Sequence, residues 1–546
     1  MKQLRRDMFW LFGLALLIRL LAALPQQQPN YMDAAYSYVN AVNLAAGRGF
    51  VEDFVWNYLG NPEPPPRPSH QYWMPLTSMM AGLGMVVGGI SYRAAQMPFV
   101  LLSALLAPIS YWTTVQALRG RRWQGWLAGL LAIFSGFYLP FWTAIDNFTP
   151  FGVAGSLALL FAWQGLKGNG QPGARPSLYL FAAGLFAGLA HLARADGLLL
   201  LITMLIFYLV HLLVVSCFTN QSEASQWDVS RFKSFPHFWL RSLTPLIFLL
   251  TGYLVVMLPW FIRNWQVTGA FLPVAGSQTI WLTGYDDLFS YGREVSLSTF
   301  LAQGWGPILQ GRWWSLVANL QTVLAVWDMI FLAPLAMVGS WRLRYHSLIQ
   351  LAGLYALLLC GAMTLVFAFP GARGGLFHSG AALLPIIYGT AAIGLDLTVD
   401  WIAARRRHWE VQSAKRVFGV GLLVMALLLS SFIYYNRVLK NDAWNRADLV
   451  YAAVAEWIAT EDPTVTVMIN NPPAYRFHGG GLSVVVPNEN LETTLQAARH
   501  YGVDYLILDA NHPAPLAEIY NEPQDQPRLS LVKTFGDVYI FRILWP

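Results

Sequence analysis

Asp33 stands among tyrosines and small residues in YMDAAYSYVNAVNLAAGRGF (31–50), and Glu52 and Asp53 follow after a glycine-containing turn. A carboxylate in such a setting is a candidate to take a proton from a hydroxyl. Further along, Arg67, His70, Arg93, Asp146, Arg194, Asp196, Arg263, Asp286, Asp287, Arg293, Arg373 and His378 each fall near an end of an apolar run. Ionisable groups beside hydrocarbon are costly and usually face a cavity or one another. Arginine keeps its charge and presents a planar fork, which suits a phosphate. Acids and arginines together fit a substrate with a phosphate and a polar body. Tyrosines and tryptophans, dense in YMDAAYSY, DFVWNYLG and SHQYWMP, add apolar faces with polar tips.

The elements that must position these groups are set by composition. The chain is 56% hydrophobic and only 12% charged, where soluble domains carry about 25%. Repeated apolar runs of about 20 residues describe a polytopic, α-helical membrane protein. Cys217 and Cys360 both lie in apolar runs, which leaves no disulfide framework and no metal-thiolate cluster. No G-x-x-x-x-G-K-S/T loop is present, which argues against an ATP-driven pump. The net charge of +6 reads as membrane topology, not as a nucleic-acid signal.

Apolar runs and basic loops are solved together. Lys2, Arg5 and Arg6 place the N-terminus in the cytoplasm, before an uncleaved first helix at 8–24. The glycine-rich run 74–90 is read as a juxtamembrane or re-entrant helix, which keeps the basic cluster 119–122 inside. Spans follow at 94–117, 123–142, 150–166, 178–193, 197–217, 243–262, 319–340, 348–368, 376–396 and 417–435, about eleven in all. The segments KGNGQPGARPS, 219–241 (with Arg231, Lys233 and Arg241), WRLRYHS and RRRHWEVQSAKR then share the inner side. The acids and arginines named first fall on the outer side, many in a first outer loop at 25–93 or a large one at 263–315. After residue 440 the composition becomes that of a soluble domain (441–546), with TVTVMIN, LSVVVP and VDYLILD as strands, LETTLQAARHYG as a helix and LSLVKTFGDVYIFRI as a hairpin. Alternating strands and helices predict a small extracytoplasmic α/β domain.

In this order, YMDAAYSYVNAVNLAAGRGF, PSHQYWMPLTSMMAGLG, HLARADGLLLL and PWFIRNW resemble the polytopic GT-C glycosyltransferases. The likeness is to bacterial relatives of protein O-mannosyltransferases and of the lipid A aminoarabinose transferase, and it covers the layout of residues 1–400. It implies an enzyme of the bacterial plasma membrane that moves a hexose or pentose from a polyprenyl-phosphate donor to an acceptor, with inversion. The acceptor is a lipid, glycan or protein, and membrane lipids are the other partners. No cofactor is implied, and a divalent metal stays open. Asp33 matches the position of the acid near the acceptor nucleophile. Where the family often places Asp-Glu this chain has Asp33-Ala34, so a second acid would come from Glu52, Asp53 or Asp146. Arg194 matches the donor-phosphate position and Arg263 is a second candidate for it. PSHQYWMPL resembles the family's HPPLYP stretch, with His70 displaced and Pro75 retained. His70 and His378 complete the supporting set.

Plainer readings stand beside these. Asp33 suits a helix N-cap, and Gly47-Arg48-Gly49 a C-terminal turn. Glu52 and Asp53 suit a solvated loop, and Asp196 an ion-pair partner for Arg194. Arg194 and Arg263 suit snorkelling to headgroups. Asp286 and Asp287 suit a turn more than a metal site, and His378 a hydrogen-bonded structural histidine. The rival function is a transporter or flippase of lipid-linked sugars, which inverted repeats and mid-membrane broken helices would mark.

Overall fold

The computed structural model describes residues 2–167, 176–221, 235–406 and 409–546. Residues 168–175 of the expected inner loop, Arg231, Lys233, Arg407 and His408 lie outside the described residues. Eight helices among the described residues are long and apolar enough to cross a membrane: Tyr92–Ala117, Phe148–Leu166, Pro176–Ala193, Ala195–Leu212, Thr244–Thr268, Ser347–Val366, Ala368–Ala403 and Val411–Asp442. The chain is thus an integral membrane protein, mostly helical, with an α/β region at its C-terminal end. The run at 74–90 forms a helix of 13 residues, Leu76–Gly88.

Two runs that read as unbroken spans are interrupted. Within 123–142 the helix Arg122–Ile133 ends and a 3-10 turn, Gly136–Tyr138, takes over. A helix end leaves carbonyls without partners, which hydrocarbon cannot satisfy. Arg19, buried in the first helix Lys2–Ala23, donates to the carbonyls of Ile133 and Ala132, both at 3.0 Å. Within 319–340 the chain leaves helical geometry between Trp327 and Ala333. Elsewhere helices meet closely through glycine. A Cβ on Gly184 would stand 1.9 Å from the Leu249 carbonyl, and one on Gly252 2.0 Å from that of Phe181. Small residues permit this backbone approach, which lets helices pack well within lipid.

Charges expected on the inner side meet one another: Arg122 with Asp7 at 2.6 Å, and Lys415 with Asp396 at 3.6 Å. At the other end of the bundle lies a six-stranded sheet. Its strands are β2 (Phe54–Val55), β4 (Thr466–Met468), β5 (Ser483–Val484), β6 (Val503–Leu508), β7 (Leu529–Phe535) and β8 (Val538–Ile543). A separate antiparallel pair joins β1 (Val51–Glu52) to β3 (Arg67–Pro68). The sheet order is β2-β5-β4-β6-β8-β7, parallel through β6 and closed by the antiparallel β7–β8 hairpin. Its edge strand β2 comes from the loop after the first helix and pairs in register Phe54↔Ser483 and Val55↔Val484. Side chains fasten the same seam. Asp53 is gripped by Arg48 at 2.6 Å and by Arg476 at 3.1 Å, and Tyr501 donates to the Pro62 carbonyl at 2.8 Å.

Charge-assisted hydrogen bonds to a buried group contribute about 2 kcal/mol. Arg476→Ala is therefore expected to lower the melting temperature and speed proteolytic cleavage within 25–93. Arg528→Ala, which removes only an exposed pair with Glu492, is expected to leave both unchanged. Equal behaviour of the two variants would refute the seam.

Candidate active site

Several separated segments bring the site together. The helix Met32–Ala45 carries Asp33 in its first turn; its N-cap is Tyr31, which makes no side-chain cap, so Asp33 is not the cap. Its carboxylate instead lies at the positive end of the helix dipole, which favours the ionised form. The second segment, just before Phe148–Lys167, carries Asp146 and Asn147. The third spans Arg373 to Ser379, where Gly374 takes φ 132°, a backbone that side chains rarely adopt.

Arg194 is delivered by the end of Pro176–Ala193. Its extended backbone, φ −151° and ψ 139°, breaks the helix. A Cβ at Gly197 would come within 2.4 Å of the Ala190 carbonyl carbon, so glycine permits the tight return. The Arg194 Nε donates to Asp196 Oδ1 at 3.0 Å and to Ser379 Oγ at 3.1 Å. Ser379 in turn donates to Asp196. Asn147 Oδ1 lies 3.4 Å from the Arg194 guanidinium, so its orientation is fixed from three sides.

These segments line a cavity of about 530 Å³. Asp33, Arg194, Asp196 and Arg373 supply its charge, His378 an imidazole, and Trp56, Tyr72 and Trp73 an aromatic wall. Asp146 reaches it through His378, whose Nε2 is 3.3 Å from Asp146 Oδ2. The His378 ring stacks on Phe148 at 3.7 Å, and its Nδ1 lies 2.7 Å from the Gly374 carbonyl. A carbonyl only accepts, so Nδ1 carries the proton and Nε2 is the atom turned towards the acids. Tyr31 donates to Asp146 at 2.7 Å and the Asn147 amide at 2.6 Å.

Asp33 differs from the other acids of the site. Among the described residues no cation stands within ion-pair distance of it. Burial, and next the like charge of Asp146, push its carboxyl up to about 6, against His378 and Arg194. Burial also acts on Asp146, but His378, Tyr31 and the Asn147 amide outweigh it and hold that carboxyl below its usual range. The two acids are pushed apart: Asp146 stays ionised and Asp33 becomes the better proton acceptor near neutrality. Asp33, Asp146 and His378 also each offer one ligand atom, all within 4.8 Å of one another. Two carboxylates and an imidazole whose other nitrogen donates to a carbonyl make a donor set that fits a divalent cation.

Other expected residues form a second network outside the cavity lining. Glu52 Oε1 lies 3.1 Å from Arg67 Nε, and burial pushes its carboxyl up to about 7. His70 sits between Ser69 Oγ at 2.7 Å and Ser78 Oγ at 3.0 Å. Burial, and next Arg263, push its imidazole down to about 3. Arg263 donates to the Ser69 carbonyl at 2.7 Å and lies over Trp260 at 4.8 Å. Asp53 belongs to the sheet seam. Asp287 pairs with Arg293 at 2.5 Å and accepts from the Thr283 and Gly284 amides, closing a turn. Arg93 donates to the Ala23 carbonyl at 2.6 Å and ties the first helix to the next bundle element. Asn147, Ser379 and Tyr285 were not singled out by sequence; all are uncharged, and only their closeness to Asp146, His378 and Asp286 hinted at them, whereas Tyr72 belongs to the aromatic stretch SHQYWMP.

No family model and no curated protein matches this sequence. Solved structures do match. ArnT from Cupriavidus metallidurans, bound to undecaprenyl phosphate, is similar over 98% of this chain and 97% of its own, at 13% identity and TM-score 0.52. The oligosaccharyltransferase AglB from Archaeoglobus fulgidus, in complex with an inhibitory peptide and a dolichol-phosphate, matches 92% of this chain and 69% of its own at 11% identity and TM-score 0.53. The arabinofuranosyltransferase AftD from Mycobacteria matches 99% of this chain at 15% identity and TM-score 0.50, and the chain spans 42% of its length. The chain has the GT-C fold, a helical membrane bundle joined here to an α/β sheet.

The raised Asp33 carboxyl is testable in the purified protein. The protonated-carboxyl band in a wild-type minus Asp33→Asn infrared difference spectrum is expected to vanish as pH rises through about 6. Asp146→Asn removes a like charge, so the midpoint is expected to fall. An unmoved midpoint would show that the two acids do not interact.

Proposed function

We propose that this chain is a glycosyltransferase that moves a sugar from a polyprenyl-phosphate donor to an acceptor at the extracytoplasmic membrane face. The observation that carries the reading is one cavity lined by a carboxylate with no ion-pair partner among the described residues, Asp33, and a fixed guanidinium, Arg194. Similar folds hold undecaprenyl phosphate in ArnT and dolichol-phosphate in AglB, which supports a lipid-linked donor here.

The chemistry follows from the two groups. The attacking hydroxyl needs a base, and Asp33 takes its proton. The departing lipid phosphate needs positive charge already in place, so that no reorganisation accompanies bond breaking. Arg194 supplies it, held in position by Asp196, Ser379 and Asn147. Asp146 and His378 tune and orient Asp33. A divalent cation held by Asp33, Asp146 and His378 would add Lewis-acid stabilisation of developing negative charge. Arg263 acts from outside the cavity by fixing Ser69, and Glu52, Asp53 and His70 shape the same loop. The positive-inside pattern of the basic loops supports an outer-side position for this cavity. Displacement at the anomeric carbon by a base-assisted hydroxyl inverts the configuration. A flippase would place its ionisable groups near mid-membrane, whereas these gather at one end of the bundle.

The assay supplies purified protein, undecaprenyl-phosphate-linked hexoses and pentoses, and membrane extracts as acceptors. Asp33→Asn is expected to lower kcat/KM by about 100-fold or more, and Arg194→Ala to reduce kcat strongly. Arg263→Ala is expected to have the smaller effect. Normal transfer by a stably folded Asp33→Asn would refute the assignment. Movement of lipid-linked sugar across vesicles without product would refute the transferase reading.

A further inference from the structure

Two phenols in the cavity have no task in the account above. Tyr72 and Tyr285 both line it, both are half-buried, and neither hydroxyl has a hydrogen-bond partner among the described residues. Tyr72 lies within electrostatic reach of Asp33 and of Arg194. Tyr285 lies within such reach of Asp33 and of Arg373, and its ring carries the Arg373 guanidinium at 4.8 Å. Each phenol thus stands near the carboxylate and also near a guanidinium. In a displacement reaction the sugar in transit occupies that interval, between the group that activates the nucleophile and the groups that hold the leaving phosphate.

The neighbouring wall has the complementary character. Trp73 is half-buried and lines the cavity. It stacks on Trp56 at 3.8 Å and 11°, and Tyr36 packs against it at 4.6 Å, so its plane is fixed. A sugar ring has an apolar C–H face and a rim of hydroxyls. A rigid indole suits the face, and two uncommitted phenols suit the rim.

We propose that Tyr72, Trp73 and Tyr285 form the subsite for the donor's sugar ring and set which sugar is accepted. The inference rests on the transferase reading, and its test is chosen to fail separately. Binding of bare undecaprenyl phosphate is compared with that of undecaprenyl-phosphate-linked hexoses and pentoses, using the purified full-length protein. Wild type is expected to prefer at least one sugar-bearing lipid over the bare one. Tyr72→Phe and Tyr285→Phe are each expected to cut that preference roughly threefold to tenfold, the worth of one neutral hydrogen bond. Trp73→Leu is expected to cut it similarly, and bare undecaprenyl phosphate is expected to bind all three variants as it binds wild type. A preference unchanged in the three variants, or absent in wild type, overturns the subsite. Equal loss for bare and sugar-bearing lipid also overturns it, because these residues would then serve the lipid or its phosphate. Asp33→Asn is expected to retain the preference while losing transfer. Transfer retained by that variant refutes Asp33 as base and leaves the subsite standing.

Discussion

A charge close to hydrocarbon has to be compensated, and the end of the bundle that carries the cavity is organised by that demand. Asp196 is answered by Arg194, Asp146 by His378 and Tyr31, Glu52 by Arg67, and Asp53 by Arg48 and Arg476. Each pairing fixes a backbone segment as well as a charge. Among the described residues Asp33 is left without such a partner, in a cavity where burial and Asp146 raise its proton affinity. The compensated acids fix the segments around the cavity, and the uncompensated one faces into it.

The same demand explains why the loop after the first helix is built so firmly. It must hold Asp33 in place while crossing from the bundle to the sheet. Edge strand β2 enters the C-terminal sheet, and Asp53 is clamped from both sides of that seam. Beneath it, Arg263 reaches the Ser69 carbonyl and His70 is held by two serines, so the helix Phe235–Thr268 is tied to the same loop. The α/β region thus acts on the site mechanically, although it lies outside the cavity lining.

Much of this was legible in the sequence because it rests on composition. The long apolar helices, the short helix at 74–90, the strands TVTVMIN, LSVVVP and VDYLILD and the closing hairpin follow from hydrophobic period and turn residues. The breaks after Ile133 and near Asp328 were missed because the flanking apolar residues outweigh the turn signal Ser135-Gly136 and the single acid Asp328; Arg19, far away in sequence, answers the first. Strand β2 was hidden because two residues carry no period and their partners lie in the C-terminal region. In the site, residue type revealed Asp33, Arg194 and His378. Type alone does not separate Arg194 from Arg263, or His378 from His70; only the fold turns one of each pair into the cavity. Asn147 and Ser379 were hidden because neutral side chains near helix ends are common.

The proposed transfer requires this cavity to receive a lipid phosphate beside Arg194, with Asp33 across from it. An electron cryo-microscopy map of the purified protein with undecaprenyl phosphate tests it most directly. Phosphate density is expected within hydrogen-bonding distance of the Arg194 guanidinium, inside the cavity that Asp33 lines. Phosphate density against Arg263, or anywhere else with the cavity empty, would contradict it.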